Sequence, residues 1–285
     1  MSSTSHLRTY LLLLLFLSAS AFSQQTEQKV VSRTDSGFQY TTLQVPGSSA
    51  TWATAVNNNG DIVGYYASGG TTLGFLFTNG VFQTISPCKG GGVEPMGIND
   101  DEVIVGGCNN GAFIYQNGNV TFLEHPKAKY TFLMGINNQG VMAGIWQQGR
   151  EFLQRSFVYS NGAFTTINGL ESPGGINNSN TISGTTCNKK THVCKGAIYS
   201  QGENGWKSQK NVKYPGAETT LLGGINDNGD VVGYTEQPQD FLYNVSSKTF
   251  TGFEVGNSIQ SQAEGINNSG EIVVWYFDGT TTYGF

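Results

Sequence analysis

The sequence predicts an all-β fold, a six-bladed β-propeller of four-stranded blades that is closed by an N-terminal strand completing the last blade. Three observations lead to this prediction. One phrase recurs six times, each copy contains four extended runs, and the two ends of the chain supply complementary parts of one copy. The composition agrees, because glycine accounts for 39 of 285 residues, aromatic residues account for 12%, and no long stretch has helical periodicity.

The recurrent phrase is Gly-Ile-Asn-Asn-x-Gly or a variant, followed by an apolar run that usually contains Val-Gly. Its first asparagine marks the six copies as Asn57, Asn99, Asn137, Asn177, Asn226 and Asn267. The steps between markers are 42, 38, 40, 49 and 41 residues. A period of about 40–45 residues is typical of propeller blades or helical repeats, and the missing helical periodicity favours blades.

Each copy reads as four strands in order. The first ends in Gly-Ile-Asn and is closed by an Asn-rich turn, because Asn and Gly tolerate the left-handed conformations of tight hairpins. The second, such as 61–66, is partly apolar on both faces, as in a strand sandwiched between layers. The third is aromatic, as in 74–77, and an Asn-Gly turn leads to a fourth, such as 81–85. Four strands in a unit of this length make one blade.

The chain ends complete one another. The sixth copy stops at Phe285, inside its third strand, and residues 37–43 match a fourth strand. Pairing the two removes unpaired strand edges, which favour aggregation. We therefore expect one domain over 37–285, preceded by a polar tail over 24–36.

Residues 1–23 have the order of a secretory signal peptide: a polar start with Arg8, a leucine-rich run over 10–17, and small residues ending at Ser23. The alternative, a membrane anchor, needs about 20 apolar residues, and this run is too short. We expect a secreted protein, extracellular or periplasmic, with no membrane span in the mature chain. The mature chain has 14 basic and 20 acidic residues, which argues against a nucleic-acid partner.

Export permits disulfides, and four cysteines allow three pairings. Cys187 and Cys194 flank one short loop, so their closure is local, and Cys88 is left with Cys108. A zinc site with His192 is the alternative, but its spacing fits no finger or ribbon pattern.

These units resemble the extracellular HAF repeat family in the Gly-Ile-Asn-Asn-x-Gly phrase, the Val-Gly run, the aromatic strand and the Phe-Thr-Thr-Ile-like strand. The resemblance covers nearly all of the mature chain. It implies a secreted all-β repeat protein and no established reaction. The sequence departs from the family at the histidine, since the residues near that place are Leu73, Gly111, Arg155, Gly196, Gln239 and Tyr283.

Chemical motifs are few. The segment 226–230 resembles the start of a calcium loop, but the twelfth position, where an EF-hand needs Glu, is Gln237. No cofactor is predicted, and calcium stays open as an alternative. His125 and His192 lie outside any nucleophile-elbow pattern. Glu94, Glu171, Glu218 and Glu264 precede Gly-Ile-Asn strands and form either a solvated acidic rim or paired acids for glycoside chemistry.

Geometry favours one face for function. The fourth-to-first and second-to-third connections open on the same face, which also carries both predicted disulfides. Binding residues concentrate on loops held by a rigid scaffold. The candidate ligand-binding residues on this face are Glu94, His125, Lys127, Tyr130, Arg150, Tyr214 and Glu218. Trp52, Trp146, Trp206 and Trp275 either pack in the core or stack on sugars.

The sequence thus favours a secreted, non-catalytic binding or scaffolding module for a glycan or an extracellular protein. The alternative is a carbohydrate-active hydrolase or lyase that uses the rim carboxylates. A purely structural surface protein is the third possibility, and fold alone does not decide among them.

Overall fold

The computed structural model describes residues 24–25, 38–109, 111–148, 154–203, 205–237, 239–256 and 258–285. The predicted signal peptide over 1–23 and most of the predicted tail lie outside these ranges. The described residues form strands and turns without helices, so the all-β prediction is confirmed. Within them, no helix has the length and apolar character needed to cross a membrane.

Most copies of the repeat contain four strands, and the recurrent phrase lies at the end of the first. The short strand β1 (Gln24–Gln25) precedes them and pairs with β5. The strands of the first three copies are β2 (Ala50–Val56), β3 (Ile62–Ser68), β4 (Thr71–Thr78), β5 (Val81–Ile85), β6 (Glu94–Ile98), β7 (Ile104–Cys108), β8 (Gly111–Gln116), β9 (Asn119–Leu123), β10 (Tyr130–Ile136), β11 (Met142–Gln147), β12 (Gln154–Ser160) and β13 (Ala163–Ile167).

The remaining copies follow the same order, with three strands in the last. They are β14 (Ser172–Ile176), β15 (Thr181–Cys187), β16 (Cys194–Gly202), β17 (Gly205–Val212), β18 (Thr220–Ile225), β19 (Asp230–Thr235), β20 (Asp240–Asn244), β21 (Thr249–Phe253), β22 (Gln260–Ile266), β23 (Ile272–Phe277) and β24 (Thr282–Gly284).

The sheets form a propeller-like arrangement of four-stranded blades. Four antiparallel sheets have four strands each: β6–β9, β10–β13, β14–β17 and β18–β21. The other strands form a single sheet of eight, in the order β1-β5-β4-β3-β2-β24-β23-β22. This differs from the predicted six separate blades, because a parallel bridge between Ala50 and Thr282 joins the first and last copies into one sheet.

Of the predicted N-terminal closing strand over 37–43, the described residues 38–43 do not form a strand. Leu43 makes an isolated antiparallel bridge with Gly284, with N···O distances of 2.8 and 3.1 Å. Thr282, two residues earlier on β24, is bridged to Ala50 instead. The ladder between the N-terminal segment and β24 therefore stops after one residue pair.

The glycine of the Val-Gly run is covered by an aromatic ring, which leaves no room for a side chain at this position. Gly64 pairs across the sheet with Phe75, Gly144 with Phe157, and Gly233 with Phe241. A methyl group added at Gly64 would lie 2.8 Å from the Phe75 ring, and one at Gly144 would lie 2.7 Å from the Phe157 ring. Phe75, Phe113, Phe157 and Phe241 are fully buried, so each forms the centre of an apolar layer between sheets.

The first strands of the copies contact one another in a closed circle, β2-β6-β10-β14-β18-β22-β2. The glycine of Gly-Ile-Asn allows this close approach. A Cβ at Gly97 would lie 2.9 Å from the Cα of Gly135, and one at Gly175 would lie 3.0 Å from the Cα of Gly224. The sixth place in this circle is held by Ala55.

Buried asparagines follow these glycines and hydrogen-bond around the same circle. The Nδ2 of Asn57 donates to the Asn99 carbonyl, and each marker asparagine donates to the next in turn, at 2.9–3.3 Å. The last bond runs from Asn267 back to the Asn57 carbonyl. Each Oδ1 accepts backbone N–H groups of its own turn, as Asn177 does from Ser179 and Thr181. We call these six residues the first circle.

Candidate functional site

A second circle of polar residues lies beside the first and closes one end of the molecule. Its members are Asn58, Asp100, Asn138, Asn178, Asp227 and Asn268. The backbone N–H of each member donates to the side-chain Oδ1 of the equivalent residue in the next copy, at 2.8–3.0 Å. Oδ2 of Asp100 also accepts from the side chains of Asn58 and Asn138. The Oδ2 of Asp227 accepts from Asn178 and Asn268 in the same way.

This closed end has little room or chemistry for a ligand. The cavity between the circles holds about 80 Å³, whereas small-molecule sites usually measure about 300–1,000 Å³. The carboxylates of Asp100 and Asp227 are used in hydrogen bonds between copies. Among the described residues, no group of three or more His, Cys, Asp or Glu side chains is placed to hold a metal ion. The segment 226–230 therefore acts as an inter-copy turn.

The opposite end carries both disulfides, and the two predicted pairings are confirmed. Cys88 bonds to Cys108, and Cys187 bonds to Cys194. The first pair is buried and links the segment after β5 to the end of β7. The second joins directly paired residues of β15 and β16.

Side chains from several copies converge at this end, where the first strands begin. Trp52 of β2 stacks on Tyr65 of β3, with ring centroids 5.0 Å apart. Trp275 of β23 donates its indole N–H to Oε1 of Glu264, at 3.1 Å. The group that we call the mouth consists of Trp52, Tyr65, Glu94, Tyr130, Tyr234, Glu264 and Trp275.

A β-bulge places Glu264. The register of β22 against β23 shifts between Ala263 and Gly265, so Glu264 is left without a cross-strand partner. Such bulges redirect a side chain. The neighbouring strand β18 has Gly223 and Gly224 at this level, where added Cβ atoms would lie 2.7 and 3.2 Å from the Glu264 carbonyl oxygen. Glycines on β18 therefore make space for the bulged residue.

The carboxyls of the mouth are shifted toward their protonated forms. Burial raises the pKa of Glu264 from 4.5 to about 7, against the Trp275 hydrogen bond, which lowers it, and with a smaller contribution from Asp240. Burial also raises the pKa of Glu94. These shifts follow from partly burying a carboxylate without giving it a cationic partner.

The tyrosine hydroxyls of the mouth stay protonated. Burial raises the pKa of Tyr65, and the carboxylates of Glu94 and Glu264 raise it further. Burial and Glu94 raise the pKa of Tyr130 to about 12. Burial, Glu264 and Asp240 raise the pKa of Tyr234. Since Tyr65 belongs to the first copy, its coupling to both acids brings three copies together, and all three hydroxyls can act as hydrogen-bond donors.

The candidates from the sequence are divided by the structure. Glu94 and Tyr130 lie in the mouth, whereas Lys127 and Glu218 are exposed outside it. Arg150 lies outside the described residues.

His125 and Tyr214, two of the candidate ligand-binding residues, pack against aromatic rings. The His125 ring stacks on Trp146, with centroids 4.3 Å apart, and is only 9% exposed. Tyr214 stacks on Phe241 at 5.1 Å. Burial lowers the pKa of His125, and Lys127 adds to the effect. Each ring therefore packs on the sheet of the following copy, His125 on β11 and Tyr214 on β20.

The predicted rim of four equivalent acids is not formed. Glu94 and Glu264 lie in the mouth, while Glu171 lines a separate cleft of about 650 Å³ beside Arg155, Lys189 and His192. Sequence reasoning missed Tyr65 and Tyr234. Their signal is the tyrosine directly after the Val-Gly run, which the sheet register pairs with Trp52 and Leu221 of the first strands.

Comparisons with known proteins identify no family. Neither a protein-family model nor a curated protein matches the sequence. Two similar solved structures are of the extracellular domain of BT4673 from B. thetaiotaomicron, described as a hybrid two component system in one and a one component system in the other. Their sequence identities are 14% and 13% and their TM-scores 0.48 and 0.47.

The matches cover 84% and 91% of this chain and 33% and 34% of those chains. This chain thus spans about a third of their length. At this level of likeness, the comparison assigns neither a family nor a ligand.

Proposed function

We propose that this chain is a secreted, closed six-bladed propeller of the HAF-repeat type, and that it binds a glycan or protein ligand at the mouth without catalysis. The observation that carries the proposal is the grouping of Glu94, Glu264 and Tyr65, with Tyr65 stacked on Trp52 and Glu264 hydrogen-bonded to Trp275, on strands β2, β3, β6, β22 and β23 that contact one another. It joins hydrogen-bonding groups and the Trp52 ring at one end of a rigid scaffold, which is the composition of a binding site.

Closure of the ring is the structural part of this proposal. The eight-stranded sheet is treated as two blades, because the two circles each have six members and return to their first copy. Packing of the N-terminal segment against the fifth and last copies supports it. Phe38 packs against Phe253 at 5.1 Å, Tyr40 packs against Phe285 at 5.4 Å, and Leu43 is 4% exposed.

Recognition is favoured over catalysis by the direction of the pKa shifts. A nucleophilic tyrosine needs a lowered pKa, and all three mouth tyrosines have raised values. Protonated hydroxyls and indole rings suit the binding of a polyhydroxylated ligand, since both can be used without any proton transfer.

The carbohydrate-active alternative is supported by one observation, the Glu264 pKa of about 7. Such a value is suitable for a general acid. Incubating each bound glycan with the protein and analysing the products separates the two functions. Cleaved ligand, lost on Glu264→Gln, would establish the alternative.

The test of the binding function is a screen of the purified mature protein against a glycan and polysaccharide panel, followed by hydroxyl deletion. We expect Tyr65→Phe to weaken binding of a hit about three- to tenfold, which is the loss of one hydrogen bond. Tyr115→Phe, in β8, is the matched control and should leave the affinity unchanged. If the affinity for every bound ligand is unchanged in both Tyr65→Phe and Tyr234→Phe, the ligand binds outside the mouth.

A further inference from the structure

We propose that the mouth selects a ligand carrying an organic cation, such as an ammonium group, over a neutral ligand of the same shape. This inference rests on the proposed binding function and specifies the chemistry of its ligand. Its basis is an imbalance of charge at the mouth together with aromatic rings beside it.

The imbalance is visible in the contacts of the two acids. Oε1 of Glu264 accepts one hydrogen bond, from Trp275. Its Oε2 has no donor among the described residues, and neither has the Glu94 carboxyl. Within the same part of the chain, no lysine or arginine contributes to the pKa of either acid or of Tyr65. A partly buried carboxylate with no donor either takes up a proton or needs a counter-charge, and a bound cation would supply that charge.

The surroundings suit an organic cation rather than a metal ion. Tyr65 and Tyr234 lie near the acids, Trp275 donates its indole N–H to Glu264, and Trp52 stacks on Tyr65. Cations are attracted to the faces of such rings by the ring quadrupole. A metal ion instead needs several oxygen ligands at short range, and the described residues contain no such group. An alkylammonium group uses both features of the mouth, the rings and the carboxylates.

The affinity of a cation must then depend on pH. The groups facing Glu264 are Tyr65, Tyr234, Asp240 and the Trp275 N–H, and only Asp240 among them titrates near neutrality. A cation binds the ionised carboxylates, so affinity should rise as the pH increases through about 7. One group with this pKa gives a change of roughly five- to tenfold between pH 6 and pH 8.

The test uses choline and its neutral isostere 3,3-dimethylbutan-1-ol, titrated calorimetrically into the mature protein at pH 6, 7 and 8. Choline keeps its charge over this range, so any pH dependence belongs to the protein. We expect choline to bind at least tenfold more tightly than the alcohol, and more tightly at pH 8. Glu264→Gln should abolish that preference, while Glu203→Gln, in the exposed turn between β16 and β17, should retain it.

The outcomes separate the inference from the proposed function. Equal affinity for choline and the alcohol, or no choline binding beside Tyr65-dependent binding of a neutral glycan, would overturn the cation preference and leave the binding function standing. If neither choline nor any panel ligand responds to Tyr65→Phe and Glu264→Gln, the mouth is not a binding site and both proposals fail.

Discussion

Asn177 shows how much one amide contributes to the structure. Its side chain is buried, accepts from the N–H groups of Ser179 and Thr181, and donates to the Asn226 carbonyl. Asn177→Ala removes three hydrogen bonds and leaves buried backbone groups unpaired, so we expect it to cost about 2–4 kcal/mol in the free energy of unfolding. Urea denaturation measures this. Ser179→Ala, on the exposed face of the same turn, is the control, and equal midpoints for the two variants would contradict the role of the first circle.

Glu264 gives a prediction in the opposite direction. Because its folded-state pKa is raised from 4.5 to about 7, the folded chain binds this proton more tightly than the unfolded chain. The free energy of unfolding contributed by this group therefore falls as the pH rises between these values. Glu264→Gln keeps an acceptor for Trp275 and removes the titration. We expect it to raise the unfolding temperature at pH 8, through a gain of at most about 3 kcal/mol in the free energy of unfolding. The gain should be much smaller at pH 5.

Thermal unfolding at both pH values, with Glu203→Gln beside it, measures this effect. A Glu264→Gln variant that is less stable than the natural chain at pH 8 would show that the carboxylate is compensated in the fold. A more stable Glu264→Gln variant would show that the natural carboxylate lowers the stability of the fold. Such a cost is expected of a residue that serves ligand binding.

Individual residues were predictable from the sequence where the repeat constrains them. The turn asparagines and the four cysteines have single roles that the spacing indicates. His125 and Tyr214 are predicted from the sequence as ligand-binding residues on the loop face, and in the structure their rings pack against Trp146 and Phe241. Each of the two candidates lies two residues after a fourth strand, the position that buried Val45 and Val255 occupy in other copies. Only an alignment of the copies at this position would have indicated that these side chains are at least partly buried.

At the scale of elements, the disulfides stabilise different things. The Cys88–Cys108 bond spans 20 residues and joins two sheets, whereas Cys187–Cys194 spans 7 residues within one hairpin. Loop-closure entropy assigns them about 3 and about 2 kcal/mol. We expect the Cys88→Ala/Cys108→Ala variant to have the lower urea midpoint. A lower midpoint for Cys187→Ala/Cys194→Ala would show that local strain, rather than chain entropy, dominates.

The strands could be predicted from the sequence, whereas the reason for the uneven spacing of the copies could not. Part of the step of 49 residues comes from the hairpin of β16 and β17, which have nine and eight residues where β12 and β13 of the third copy have seven and five. Alternation and turn residues predict such strands, but their pairing beyond the blade does not follow from local pattern. The bridge from Ala50 to Thr282 depends on how two distant copies meet, and no single segment encodes it.

At the scale of the whole molecule, the N-terminal segment packs between the first and last copies. Leu43 and Val45 are 4% and 2% exposed and belong to the apolar cluster that contains Ala53, Phe75 and Val273, from the first and last copies. The Leu43 backbone also exchanges both hydrogen bonds with Gly284. The N-terminal segment is therefore part of the contact between these copies, although it forms one bridge rather than the predicted strand.

If the ring is closed by this contact, a charge at Leu43 should destabilise every blade and not only the neighbouring ones. We expect Leu43→Asp to lower the unfolding temperature in a single transition, with a loss of about 3–5 kcal/mol from burying an unpaired carboxylate in place of a leucine. Hydrogen exchange should speed up in β10–β13, far from the substitution, because the circles require all six copies. Thr41→Asp, an exposed position two residues away, is the control. Faster exchange confined to β2–β5 and β22–β24 would mean that the blades open independently and that the ring gains no cooperativity from its closure.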